Sequence, residues 1–143
     1  MQLLDCPVPI YGDVKWRGAC PMEELEQVTF FNRLRAEFPD TYGLIALHPR
    51  NEGQLRGSQH RMMISMRAEG MAPGAADIVI PGSPAFVCEM KRRDHTKSAW
   101  REGQKEYLKA ASNAGAFACV ALGYLAAWQA FEEWKTRLET PPW

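Results

Sequence analysis

The chain has 143 residues, 46% of them hydrophobic and 24% charged, and its 17 basic and 17 acidic side chains give a formal net charge of +0. That length suits one domain with a single core, and the composition is that of an ordinary globular protein. No stretch nears the roughly 20 apolar residues that span a bilayer, and zero net charge excludes a uniformly basic nucleic-acid binder while leaving room for a local basic patch.

The N-terminus, Met1-Gln2-Leu3-Leu4-Asp5, has neither a basic start nor a long apolar segment. No secretory signal is expected, and the reading is a cytoplasmic protein without membrane contact. Residues 1–20 hold Pro7, Pro9, Gly12 and Gly18 without sustained periodicity and read as an irregular arm, pinned by Trp16. Residues 21–143 form the predicted domain. Its first helix is expected from about Met22 to Phe38, with Leu25, Val28, Phe31, Leu34 and Phe38 as the core stripe and Pro39-Asp40 as the stop. A short strand is expected at 43–47, followed by the polar turn His48-Pro49-Arg50-Asn51-Glu52-Gly53. A second helix is expected over 58–69, with Met62, Met63 and Met66 apolar.

A Gly/Pro loop, 71–76, then delivers the chain to Asp77. Strands are predicted at 77–80 and 85–91, and the Pro81-Gly82-Ser83-Pro84 turn between them makes a hairpin. A basic loop (92–97), a helix (98–113), a buried strand (117–122) and a last helix (125–138) complete the order. The expected architecture is α/β, a mixed central sheet flanked by helices. Cys88 and Cys119 lie in apolar runs and read as small buried hydrophobes. Cys6 and Cys20 fit no zinc spacing, and a cytosolic setting argues against pairing them.

The chemistry concentrates at Asp77 and at Glu89-Met90-Lys91. Side chains alternate along a strand, so Glu89 and Lys91 share one face while Phe86, Cys88 and Met90 share the other. Two carboxylates on neighbouring strands suit a hard divalent cation. A lysine beside them can act on a water or on developing negative charge. These are the requirements for phosphodiester cleavage. Lys91, Arg92, Arg93, Lys97, Arg101, Lys105 and Lys109 follow with few acids between them. They read either as a solvated face or as a phosphate-binding rim. His48, Arg50 and Asn51 cluster at a predicted strand end and are candidates for backbone contact.

An ordered series of segments resembles the VRR-NUC branch of the PD-(D/E)xK nucleases, in its small stand-alone form found in phages and prophages. The series runs Glu23-x-x-Glu26-Gln27, His48-Pro-Arg-Asn51-Glu52-Gly53, Pro73-Gly74-x-x-Asp77, Glu89-Met90-Lys91, Gln104 and Ala114-Gly115. Ala76 stands where the strict signature has proline. The resemblance implies Asp77, Glu89 and the Met90 backbone carbonyl as ligands of Mg²⁺ or Mn²⁺, and Lys91 as the catalytic lysine. It also implies Glu26, with Glu23 as the fallback, as the acid of the first helix, and gives Gln104 a water- or phosphate-orienting role. The implied activity is a metal-dependent DNA endonuclease acting on branched DNA such as Holliday junctions, as a homodimer. Trp128 and Trp134 read as core or subunit interface, and with Phe131 they are the aromatics that could supply a twofold interface. Two other readings stand beside it: a non-catalytic DNA-binding or scaffold protein that keeps the fold, and a different metal hydrolase or restriction-type nuclease.

Overall fold

The structure, a computed structural model, is described over residues 1–49, 60–140 and 143. Arg50 and Asn51 lie outside the described residues. The elements run β1 (Ile10–Tyr11), α1 (Glu23–Glu37), α2 (Tyr42–Ile45), α3 (His60–Ala68), β2 (Ile78–Ile80), β3 (Phe86–Lys91), α4 (Gln104–Asn113), β4 (Phe117–Leu122) and α5 (Tyr124–Thr136). Four strands form one mixed sheet in the order β1-β4-β3-β2. β2 and β3 are the expected antiparallel hairpin, and β3 runs parallel to β4 with Glu89 opposite Val120.

The alternation read along 86–91 divides the core in two. Phe86, Cys88 and Met90 join Phe30, Phe131 and Trp134 beneath α1 and α5. Val87 joins Val120, Leu122 and Leu108 on the opposite side, toward α4. Every residue of β3 is buried, so the strand sits at the centre of the molecule.

Four expectations are corrected. The residue 1–20 arm is not wholly irregular: Ile10 and Tyr11 pair in parallel with Val120 and Ala121 and close one edge of the sheet. Two residues are too few to show a period. The 43–47 segment is mainly a helical turn, because Gly43 folds tightly on the end of α1. Its N–H bonds Phe38 O at 2.8 Å, and a Cβ there would lie 2.6 Å from that oxygen. Leu47 alone joins the sheet, exchanging backbone bonds with Val79.

The core stripe of α1 is rotated from the expected one. Leu25 and Val28 are 58% and 52% exposed, while Phe30 is fully buried, edge-on to Trp128 and Phe131. The larger aromatic surface decides which face turns inward. Those same contacts put Trp128, Phe131 and Trp134 in the interior. They are therefore not surface aromatics available to a twofold interface.

Candidate active site

Asp77 directly precedes β2, and continuing the hairpin register by one pair sets it opposite Glu89. Asp77 Oδ2 accepts from Met90 N at 2.8 Å. Its own carbonyl is 2.8 Å from His48 Nδ1, which places His48 behind the site. In an extended strand the N–H and C=O of one residue point to the same side. The Met90 carbonyl therefore also faces the Asp77 edge.

Glu89 and Lys91 are 1% and 0% exposed, and their charged ends lie 3.7 Å apart. Gln104, buried at the first residue of α4, joins them. Its amide nitrogen donates to Glu89 Oε1 at 2.8 Å, and its Oε1 accepts from Lys91 Nζ at 2.9 Å. An amide suits this place because it carries a donor for the carboxylate and an acceptor for the ammonium. Lys91 Nζ also donates to Ala99 O at 2.8 Å, and Arg101 N donates to Gln104 Oε1 at 2.8 Å.

Two glycines make this approach possible. Gly103 has φ +85 and stands before α4 rather than inside it, so it carries no helix-interior penalty. Gly74 has φ +69, and a Cβ on it would lie 2.1 Å from the Gly103 carbonyl carbon. The Pro73-Gly74 loop thus lies against the start of α4 while it brings the chain to Asp77.

The electrostatics are those of a site short of positive charge. Burial, and then repulsion from Asp77, raise the Glu89 carboxyl well above its usual value, with Lys91 opposing. Burial raises Asp77 as well, against the bond from Met90 N. Among the described residues no donor group hydrogen-bonds the buried Glu89 Oε2, although the Asp77 and Glu89 carboxyls lie close enough to share a proton. Two buried carboxyls that hold their protons because of each other are a pair whose charges a bound cation would stabilise. The donor set therefore fits a hard divalent ion. Among the described residues, no three His, Cys, Asp or Glu side chains converge on one point. The fit accordingly rests on two carboxylates and a carbonyl.

The structure separates the two acids of the first helix. Glu26 is buried and its Oε2 accepts from Tyr124 N at 2.9 Å, capping α5. It lines a different cavity, with Gly123 and Arg93. Glu23 instead accepts from Ser98 Oγ at 2.7 Å, on the segment that follows β3. Neither acid of the first helix is brought together with Asp77 and Glu89 into a group of three among the described residues.

The basic rim is partly engaged with the arm. Arg92 donates to the carbonyls of Cys20 (2.5 Å) and Pro21 (3.1 Å), and Lys97 donates to Gly18 O at 2.9 Å. The Arg93 guanidinium lies over Trp16, 4.2 Å from the ring centre. Arg101 stays exposed, and Lys105 lies 3.9 Å from Asp5. A groove of about 330 Å³ runs past Glu23, Arg92, Lys97, Ser98, Ala99 and Arg101. The sequence offered no signal for Ala99, whose contribution is a backbone carbonyl, or for the Ser98 hydroxyl.

No family profile matches the sequence, and no curated protein matches it. Among solved structures, one described as a VRR_NUC domain protein aligns with a TM-score of 0.63 at 16% identity, covering 82% of this chain and 91% of that one. At that identity the likeness is one of fold. It agrees with the mixed four-stranded sheet flanked by helices and with the resemblance carried by the sequence segments. No helix among the described residues is long and apolar enough to cross a membrane.

Proposed function

We propose that this chain, built on the fold of a VRR_NUC domain protein, is a divalent-metal-dependent endonuclease that hydrolyses the phosphodiester backbone of DNA. The observation that carries this reading is the buried Asp77–Glu89 pair set beside a buried Lys91. Asp77, Glu89 and the Met90 carbonyl would hold Mg²⁺ or Mn²⁺, ions that favour such oxygens. When bound, the ion polarises a phosphoryl oxygen and lowers the pKa of a water.

The chain's own residues do the rest. Ala99 O and Gln104 hold the Lys91 ammonium in one position, where it stabilises charge developing on the phosphate without rearranging. Gln104 also fixes Glu89 Oε1, leaving Oε2 for the metal. The groove past Glu23 and Ser98 gives the DNA backbone a path, with Arg101 and Lys97 at its edge. Arg92, Arg93 and Lys105 are less available for that role as they stand. A preference for branched DNA such as a four-way junction is supported by the ordered sequence segments, and a homodimer would set two such sites against two strands.

Plasmid and four-way-junction DNA, incubated with the protein and Mg²⁺, Mn²⁺ or EDTA, test the reading. Cleavage is expected with metal alone, and Asp77→Ala, Glu89→Ala and Lys91→Ala should abolish it while circular dichroism stays native. Cutting in EDTA, or in all three variants, rejects the assignment. Binding without any cutting would make the chain a DNA-binding scaffold instead.

A further inference from the structure

Residues 12–21 connect β1 to α1, and none of them is buried. Their contacts with the loop that follows β3 run through charge. The Arg92 guanidinium grips the carbonyls of Cys20 and Pro21, and Lys97 Nζ grips that of Gly18. Arg93 lies over the Trp16 ring. In return Gly18 N donates to the buried Asp94 carboxylate at 3.2 Å, and Arg17 lies 4.0 Å from it. Among the described residues Arg92, Arg93 and Lys97 form no ion pair, so the segment occupies three cations with neutral partners. Two of the three, Arg92 and Lys97, also line the groove past Glu23 and Ser98.

We propose that residues 16–21 are a displaceable strap over part of the DNA-binding surface, and that DNA phosphates take Arg92, Arg93 and Lys97 from it on binding. This rests on the nuclease reading above and concerns how that site admits its substrate. A phosphate offers each donor an oxygen, as a backbone carbonyl does, and adds a full negative charge. The exchange therefore favours DNA at all three cations. A segment without buried side chains opens at low cost in free energy. β1 and α1 hold its two ends, so it lifts as a loop and leaves the sheet in place. The plainer reading, in which the segment braces the cations for DNA and stays where it is, gives the opposite result in both measurements below.

Hydrogen exchange on the wild-type full chain, with four-way-junction DNA added in EDTA, reads the strap without any variant. The amides of residues 16–21, Gly18 above all, should exchange faster once DNA is bound, whereas a surface that DNA merely covers exchanges more slowly. Slower or unchanged exchange there overturns the strap. Trp16→Ala removes the ring beneath Arg93. It should bind the same DNA about 2- to 5-fold tighter, the worth of an exposed cation–π contact. The slope of affinity against salt should stay the same, because the bound state keeps its phosphate contacts. Weaker binding by Trp16→Ala means bracing and also overturns the strap. Either failure in a chain that still cuts DNA with Mg²⁺ leaves the nuclease reading standing. A wild-type chain that neither binds nor cuts the junction removes the nuclease reading and this inference together.

Discussion

Alternate residues of β3 share one backbone and live in opposite surroundings. Phe86, Cys88 and Met90 are packed under α1 and α5 among Phe30, Phe131 and Trp134, where burial stabilises the fold. Glu89 and Lys91 are buried just as deeply on the other face, where burial of charge opposes folding. One face therefore holds the sheet together, and the other uses that rigidity to keep a carboxylate and an ammonium where water would otherwise separate them.

If the two faces divide labour in this way, substitutions should separate stability from activity. Phe131→Ala should cost about 3–5 kcal/mol, the range for losing a core aromatic. Urea unfolding should show it, while the fraction that remains folded keeps its Mn²⁺ affinity. Glu89→Gln should do the reverse. Single-turnover cleavage should drop roughly 100- to 1000-fold, with no loss of stability in metal-free protein. Similar stability losses from both substitutions would erase the distinction.

Gly74→Ala probes the junction of the two regions. Its φ of +69 and the 2.1 Å approach to Gly103 leave no space for a methyl. The start of α4 must move, and Gln104 moves with it. A stability loss of about 1–3 kcal/mol should come with a disproportionate fall in kcat. An unimpaired kcat would show that Gln104 placement does not limit the reaction.

The smallest effect concerns pH. Asp77 and Glu89 titrate above their usual values of 3.8 and 4.5 in the folded chain. Above about pH 4 the folded chain thus retains protons that the unfolded chain has released, so these groups withdraw stability as pH rises through their folded values. The urea midpoint of Glu89→Gln should therefore gain on that of the metal-free wild type as pH increases toward neutrality. Saturating Mn²⁺ should cancel the gain. A gap that shrinks with rising pH would mean that Glu89 is stabilised as an anion without metal.

The sequence made strand β3 legible because its environment obeys the two-residue period, and the hairpin because Pro81-Gly82-Ser83-Pro84 leaves no other connection. The fourth strand, 117–122, was legible as a continuous apolar run. Other features depend on contacts far apart in sequence. The two-residue β1 exists because β4 offers it an edge, and α1 turns Phe30 inward because Trp128 and Phe131 wait there. Glu23 and Glu26 lie on one face of a helix, and sequence spacing gives no way to choose between them. Their different surroundings come from distant partners, Ser98 for Glu23 and the backbone of Tyr124 for Glu26.

Anomalous diffraction from crystals soaked in Mn²⁺ tests the central claim most directly. The account predicts one strong peak within coordination distance of Asp77, Glu89 and the Met90 carbonyl, and no peak there in Glu89→Gln. A peak elsewhere, such as beside Glu26 at the start of α5, or an empty site at saturating metal, would contradict it.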